Sequence, residues 1–183
     1  KRMDGGATPA QTEPLAKTGK TVYLAAVTSD IQAGREKLMR ELSDRGHRVL
    51  PDRPLPTSGD EFTEAVRDML GQADYSIHLI GQKYGMIPED AANSIAKIQN
   101  DLATEQVQAG GDFARFIWMP RPIVTDDDRQ QQFITELREN PQAHAGAELM
   151  EDSLDNFRDY VVEKLKPKPK LAPTTIPSSG TPS

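Results

Sequence analysis

Residues 21–56, TVYLAAVTSDIQAGREKLMRELSDRGHRVLPDRPLP, read as a complete strand, loop, helix, strand and loop. The apolar run TVYLAAV stops at Ser29-Asp30, and the residues that follow switch to helical spacing. Ser29 or Asp30 is the expected N-cap, and Gly46 stands where a left-handed C′ glycine ends a helix. HRVL is a second short strand, and the prolines of PDRPLP break it at once. Two strands joined through a helix are parallel, so the unit predicts a parallel sheet flanked by helices, with functional loops at the carboxyl ends of the strands.

The remaining middle repeats the alternation. EFTEAVRDMLGQ places Phe62, Val66, Met69 and Leu70 at helical spacing. ADYSIHLIGQKYG contains a third strand through Tyr75, Ile77, Leu79 and Ile80 that stops at Gly81. After the loop QKYGMIPEDAAN comes the helix SIAKIQNDLATEQVQ, closed by Gly110-Gly111. FARFIWMP is a fourth strand, ended by Pro120 and Pro122. The loop VTDDD, the helix RQQQFITELREN, a Pro/Gly-containing connection and a last helix, SLDNFRDYVVEKLK, complete the pattern. A closed barrel of eight such units needs roughly 250 residues, so 183 residues predict an open, doubly wound α/β sheet. The expected organisation is a disordered segment over 1–19, one domain over 20–166, and a Pro/Ser/Thr-rich linker or tail over 167–183. The tail has polyproline character and is expected to lead to a fused downstream domain.

Several function classes lose support. A net charge of −6 argues against a nucleic-acid surface. The chain has no cysteine, and its three histidines are too scattered for a zinc site, so no metal is expected. No apolar run approaches the roughly 20 residues that span a bilayer, and the first residues have no apolar stretch of the signal-peptide kind. A cytoplasmic protein without a membrane partner is the expectation. AAVTSDIQAG has neither G-x-G-x-x-G nor G-K-[ST], which disfavours ordinary dinucleotide binding and P-loop hydrolysis. A receiver domain would need a phosphorylatable Asp after the third strand, where Ile80-Gly81-Gln82 stands.

Four segments together resemble the Toll/interleukin-1 receptor (TIR) domain, in its bacterial immune and signalling form: VYLAAVTSDIQAGREKLMRELSDRGHRVLPDRPLP, ADYSIHLIGQKYG, SIAKIQNDLA and RFIWMPRPIVTDDDRQQQFI. The resemblance implies a flavodoxin-like sheet of about five parallel strands. It implies self-association with other TIR domains, as a homo-oligomer or filament on activation, in immune signalling such as antiphage defence. The loop after the second strand corresponds to the family's BB loop, so Asp52, Arg53, Pro54 and Leu55 become candidate interface residues. Three prolines there lower the entropy cost of presenting the loop, and Arg53 offers a planar fork to a carboxylate or phosphate. A stiff solvent loop is the plain alternative.

The resemblance also implies NAD as a candidate substrate, cleaved at the nicotinamide-ribose bond, with no resident cofactor. A glutamate near the start of the helix after the third strand supports that chemistry, because a carboxylate stabilises the cationic sugar that forms as the bond breaks. The expected pattern is Ser-x-x-Glu, an apolar residue and Gln. This chain has Ser94, Ile95, Ala96, Lys97, Ile98 and Gln99, so Lys97 occupies the expected catalytic position. At about 4 Å and an effective dielectric near 20, exchanging attraction for repulsion reverses roughly 4 kcal/mol. The implied activity is therefore impaired, and Lys97→Glu is expected to raise nicotinamide release. A pseudoenzyme, a substituted position and a carboxylate from elsewhere, Glu89 or Asp90, stay open. Glu105 lies about 12 Å further along the helix and is too far. As an ordinary helix residue, Lys97 would sit one turn from Asp101, with Ser94 as N-cap.

Ala26, Val27, Thr28, Ser29, Arg53 and Tyr84 are the candidate nucleotide-binding residues. Capping by Ser29 or Asp30 and packing of Tyr84 on Gly85 are the plain alternatives. Trp118 lies in an apolar run and is read as core. Asp126, Asp127 and Asp128 precede a helix and are read as its cap, and His47 and His78 as structural. Two functions compete: an NAD nucleosidase, and a non-catalytic assembly scaffold that relays a signal to a downstream domain. A nucleotide sensor is the third.

Overall fold

The computed structural model describes residues 19–166. The expected terminal segment and tail therefore lie outside the described residues, apart from Gly19. Ten elements alternate: β1 (Thr21–Leu24), α1 (Gln32–Asp44), β2 (Arg48–Leu50), α2 (Gly59–Gln72), β3 (Tyr75–Leu79), α3 (Ile95–Gln108), β4 (Ala114–Met119), α4 (Asp128–Glu139), β5 (Ala147–Glu151) and α5 (Leu154–Lys164). All strand pairs are parallel, in the order β2-β1-β3-β4-β5. The chain is thus an α/β doubly wound sheet of five strands. Its strand order reverses between β1 and β3, where the loops leaving the carboxyl ends diverge and leave a crevice.

Alternation along each strand divides the core between two faces. Val22 and Leu24 of β1 join Ile77, Leu79, Phe116 and Trp118 beneath α1 and α5, where they meet Leu38, Leu42, Phe157 and Val161. Tyr23 and Ala25 turn the other way, toward Phe62, Val66, Met69 and Leu70 of α2 and Leu102 and Ala103 of α3. Ile117 and Met119 pack on Phe133, Ile134 and Leu137 of α4. Burying a side chain such as Leu or Phe stabilises by about 1.5–3 kcal/mol, so these layers fix the sheet and with it the position of every loop.

The layer beneath α3 is different. Ser76, His78 and Arg115 are buried on the strands, and Gln99 and Asn100 are buried on the helix. Ser76 Oγ and His78 Nε2 share a hydrogen bond of 3.0 Å. Arg115 donates to the Asn100 side-chain oxygen, to Thr104 Oγ1 at 3.0 Å and to the Ala145 carbonyl at 2.8 Å. Desolvation brings the Arg115 pKa down to about 10. The α3 helix is therefore seated on directional bonds as much as on apolar contact, and its rotation about its own axis is tightly set.

Two sequence expectations are corrected. The stretch between the last two helices contains β5, which among the described residues pairs only with β4 and carries Glu148 and Glu151 among five residues. A short edge strand with charges has little apolar alternation, and its sequence therefore resembles a connection. The first helix starts after Ile31 with no side-chain cap. The Asp30 carboxylate instead accepts the Gln82 N–H at 2.8 Å, which locks the β1–α1 loop to the β3–α3 loop. Gly81 permits this approach, since a Cβ there would come within 2.4 Å of that carboxylate. Other end signals agree with the structure. Gly46 has φ +91°, Ser94 Oγ accepts the Lys97 N–H, Asp127 caps α4 and Trp118 is buried, its Nε1 donating to the Asp152 carbonyl at 2.8 Å.

Candidate functional site

The crevice at the strand-order reversal is a cavity of about 330 Å³. Ala26 and Val27 form its floor on the β1–α1 loop, and Gln32 and Arg35 come from the first turns of α1. The β2–α2 loop supplies Pro51, Arg53, Leu55, Pro56 and Thr57, with Phe62 behind it. Met86 and Pro88 of the β3–α3 loop and Ile95 of α3 close the third side. Apolar carbon therefore makes most of the wall, and its two charged residues are both arginines.

Hydrogen bonds fix the floor. Gln99 accepts the Tyr23 hydroxyl at 2.6 Å and the Ala26 N–H at 2.9 Å through Oε1, and donates through Nε2 to the carbonyls of Ala26 at 3.0 Å and Ile95 at 3.1 Å. Both backbone groups of a cavity-lining residue are thus gripped by one buried amide, and the fully satisfied network stiffens the loop. Burial pushes the Tyr23 hydroxyl pKa well up, with nearby Arg35 pulling weakly the other way, so the phenol stays a donor. Arg35 donates from Nε to the Ala25 carbonyl at 2.9 Å and from Nη2 to the Leu24 carbonyl at 2.7 Å. The two other loops are tied to each other as well: Ser58 and Glu89 form an isolated parallel bridge, with Gly59 N–H donating to the Glu89 carbonyl at 2.8 Å.

On the other side of α3 lies a second hollow of about 650 Å³, walled by Tyr84, Asn93, Lys97, Arg129, Phe133 and Glu136 among others. Lys97 Nζ is 3.4 Å from Asp101 Oδ2 and 3.4 Å from Glu136 Oε1, and 5.8 Å from the Phe133 ring centroid. Burial alone would lower the Lys97 pKa; the two carboxylates outweigh it, and the net direction is up. Burial moves Asp101 upward too, against the pull of Lys97. Lys97 thus stays a cation held between two carboxylates. Arg129 donates to the Asp127 carboxylate at 2.8 and 3.1 Å and lies 4.5 Å over the Tyr84 ring.

Of the sequence-derived candidates, Ala26, Val27, Arg53 and Leu55 line the first cavity. Thr28 and Ser29 do not: Thr28 Oγ1 donates to Asp30 at 2.5 Å, and Ser29 Oγ accepts from Lys83 Nζ at 2.9 Å. Tyr84 is buried, its hydroxyl accepting the Ser94 N–H at 3.2 Å, and it lines the second hollow together with Lys97. Asp52, Arg53 and Pro54 are exposed on the β2–α2 loop, and Asp52 lies 3.6 Å from Arg48 and 3.5 Å from Arg53. Leu55 turns partly inward against the core layer of α2. Glu89 and Asp90 are exposed and line neither hollow. Arg35 and Gln32 carry no signal in the sequence, where they look like ordinary polar helix positions. Gln99 enters the sequence reading as the last residue of the motif that starts at Ser94, and its structural role, holding the cavity floor, is what the motif does not reveal. Among the described residues no group of three His, Asp or Glu converges as a metal site, and no helix is long and apolar enough to cross a membrane.

No family model matches the sequence, and no curated protein is significantly similar to it. In structure the chain is similar to a CMP N-glycosidase from Clostridium botulinum, with a TM-score of 0.50 and 14% identity over 79% of this chain and 99% of that one. At this identity the likeness is one of fold.

Proposed function

We propose that the chain is a nucleotide-binding signalling domain of the TIR type, which takes NAD or a related nucleotide in the cavity between the β1–α1, β2–α2 and β3–α3 loops and cleaves its N-glycosidic bond slowly or not at all. The observation that carries this reading is the charge of the cavity: Arg35 and Arg53 line it, and among the described residues no carboxylate does. Cations beside an apolar wall suit phosphate next to an aromatic ring. Departure of nicotinamide, by contrast, leaves a cationic sugar that needs a negative group beside it, and removing such a group typically costs several powers of ten in rate. A similar fold in a protein named as a CMP N-glycosidase is in keeping with N-glycosidic chemistry on such a fold.

In this reading the exposed residues Asp52, Arg53 and Pro54 meet a second TIR domain, and binding or assembly passes a signal to a fused domain. The test is to incubate purified chain with NAD, quantify free nicotinamide by chromatography, and measure NAD binding by calorimetry. Binding with nicotinamide release near the uncatalysed level is the expected outcome. Absence of any NAD binding contradicts the reading.

A further inference from the structure

Arg35 stands out among the cations of this molecule. Two of its guanidinium nitrogens are committed to the Leu24 and Ala25 carbonyls, which fixes the plane of the group. Among the described residues it makes no ion pair; desolvation draws its pKa down, opposed by the nearby Tyr23 and Glu36. Its Nη1 makes no hydrogen bond among the described residues, and Arg35 lines the cavity. A cation held partly out of water without a carboxylate is costly unless a negative group joins it. Arg53 reaches the same cavity from an exposed loop, and its contact with Asp52 at 3.5 Å is between two exposed side chains, which is easily given up.

We infer that Arg35 and Arg53 form a phosphate subsite, and that the cavity takes the phosphorylated half of a nucleotide, its ring set against Val27, Leu55, Phe62, Met86 and Ile95. The size agrees, since about 330 Å³ is at the small end of ligand cavities and suits a mononucleotide unit better than an entire dinucleotide. Arg35 is the fixed donor, presented by β1 through its own carbonyls. Arg53 is the adjustable one. The inference rests on the cavity being the ligand site, as proposed above, and does not depend on nicotinamide being part of the ligand.

The test is calorimetric titration of the purified chain with inorganic pyrophosphate, AMP and adenosine, repeated with Arg35→Gln and Arg53→Gln. The native chain is expected to bind pyrophosphate and AMP, with adenosine at least about tenfold weaker, and each substitution is expected to weaken AMP about tenfold or more while leaving adenosine unchanged. Thermal melting accompanies each variant, because Arg35→Gln also removes the donors to Leu24 and Ala25; Arg53→Gln, on an exposed loop, decides the matter where that variant fails to fold. Adenosine binding as tightly as AMP, AMP binding unmoved in the folded variants, or a native chain that binds neither anion would overturn the inference. Pyrophosphate binding that depends on both arginines in a chain that ignores NAD would keep the subsite and overturn the NAD reading. NAD binding indifferent to both would do the reverse.

Discussion

The two sides of α3 hold opposite electrostatic arrangements. Toward α4, both cations of the hollow are matched: Lys97 lies between Asp101 and Glu136, and Arg129 is bound to Asp127, whose pKa that hydrogen bond draws down to about 2. Toward β1 and β2, Arg35 has carbonyl oxygens but no carboxylate partner among the described residues, and Arg53 has only a solvent-exposed one. Matched charges hold elements together and attract little from outside. Unmatched ones lining an apolar cavity are what an anionic ligand can use. The difference separates two roles that the sequence motif around Ser94 merges: Lys97 joins α3 to α4, while Gln99, two residues on, shapes the cavity floor.

The comparison can be broken most severely at Gln99. Gln99→Leu leaves the buried Tyr23 hydroxyl and the part-buried Ala26 N–H without a partner, and at about 1–3 kcal/mol for a fully buried orphan and less for the second the expected loss of unfolding free energy is about 2–4 kcal/mol. Urea denaturation reads it, and a loss below about 1 kcal/mol would show that the amide does not organise the floor.

Lys97→Glu tests the other side. It would bring a third carboxylate beside Asp101 and Glu136, and with both partners partly exposed the expected destabilisation, allowing for solvent screening, is about 1–3 kcal/mol, easing in high salt. Because Lys97 does not line the first cavity, nicotinamide release is expected to stay low in this variant, in place of the increase that the sequence motif suggested. A stable variant with fast turnover would instead mean that the glutamate turns across the helix into the cavity.

The polar seat of α3 gives a pH signature. Burial, with a smaller contribution from Arg115, holds His78 neutral, its pKa well below the ordinary 6.5. The folded state then binds fewer protons than the unfolded one, so stability is full above about pH 6.5 and falls below it, by up to about 1.4 kcal/mol per pH unit. A melting temperature flat through that range would contradict the assignment. The smallest effect is expected on the α4 side, where Arg138 holds the Glu151 pKa below its usual value. That contribution is present above about pH 4.5 and is lost as pH falls through the lowered folded value, and Arg138→Gln should remove it at a cost of roughly 0.5 kcal/mol at neutral pH.

Strand and helix order was legible because the apolar period changes cleanly from two to 3.6 after Ser29 and Gly81, and back again at Gly46 and Gly110. Strand β5 was not, since an edge strand with one partner needs little apolar alternation and Ala147–Glu151 shows almost none. Part of the cavity lining was legible too. Backbone position at a strand's carboxyl end selects Ala26, Val27 and Arg53 without any knowledge of side-chain direction. Lys97 could not be sorted the same way, because the rotation of α3 that decides which hollow its side chain enters is set by buried polar bonds. The Gln99 and Asn100 contacts that set it join residues 43 to 76 positions apart.

The most direct measurement is NAD binding and nicotinamide release followed together in one sample of the native chain. The cavity's charge predicts saturable binding with nicotinamide appearing no faster than in a protein-free control. Rapid stoichiometry-exceeding release of nicotinamide would contradict it, and would require a carboxylate to enter the cavity from the loops around it.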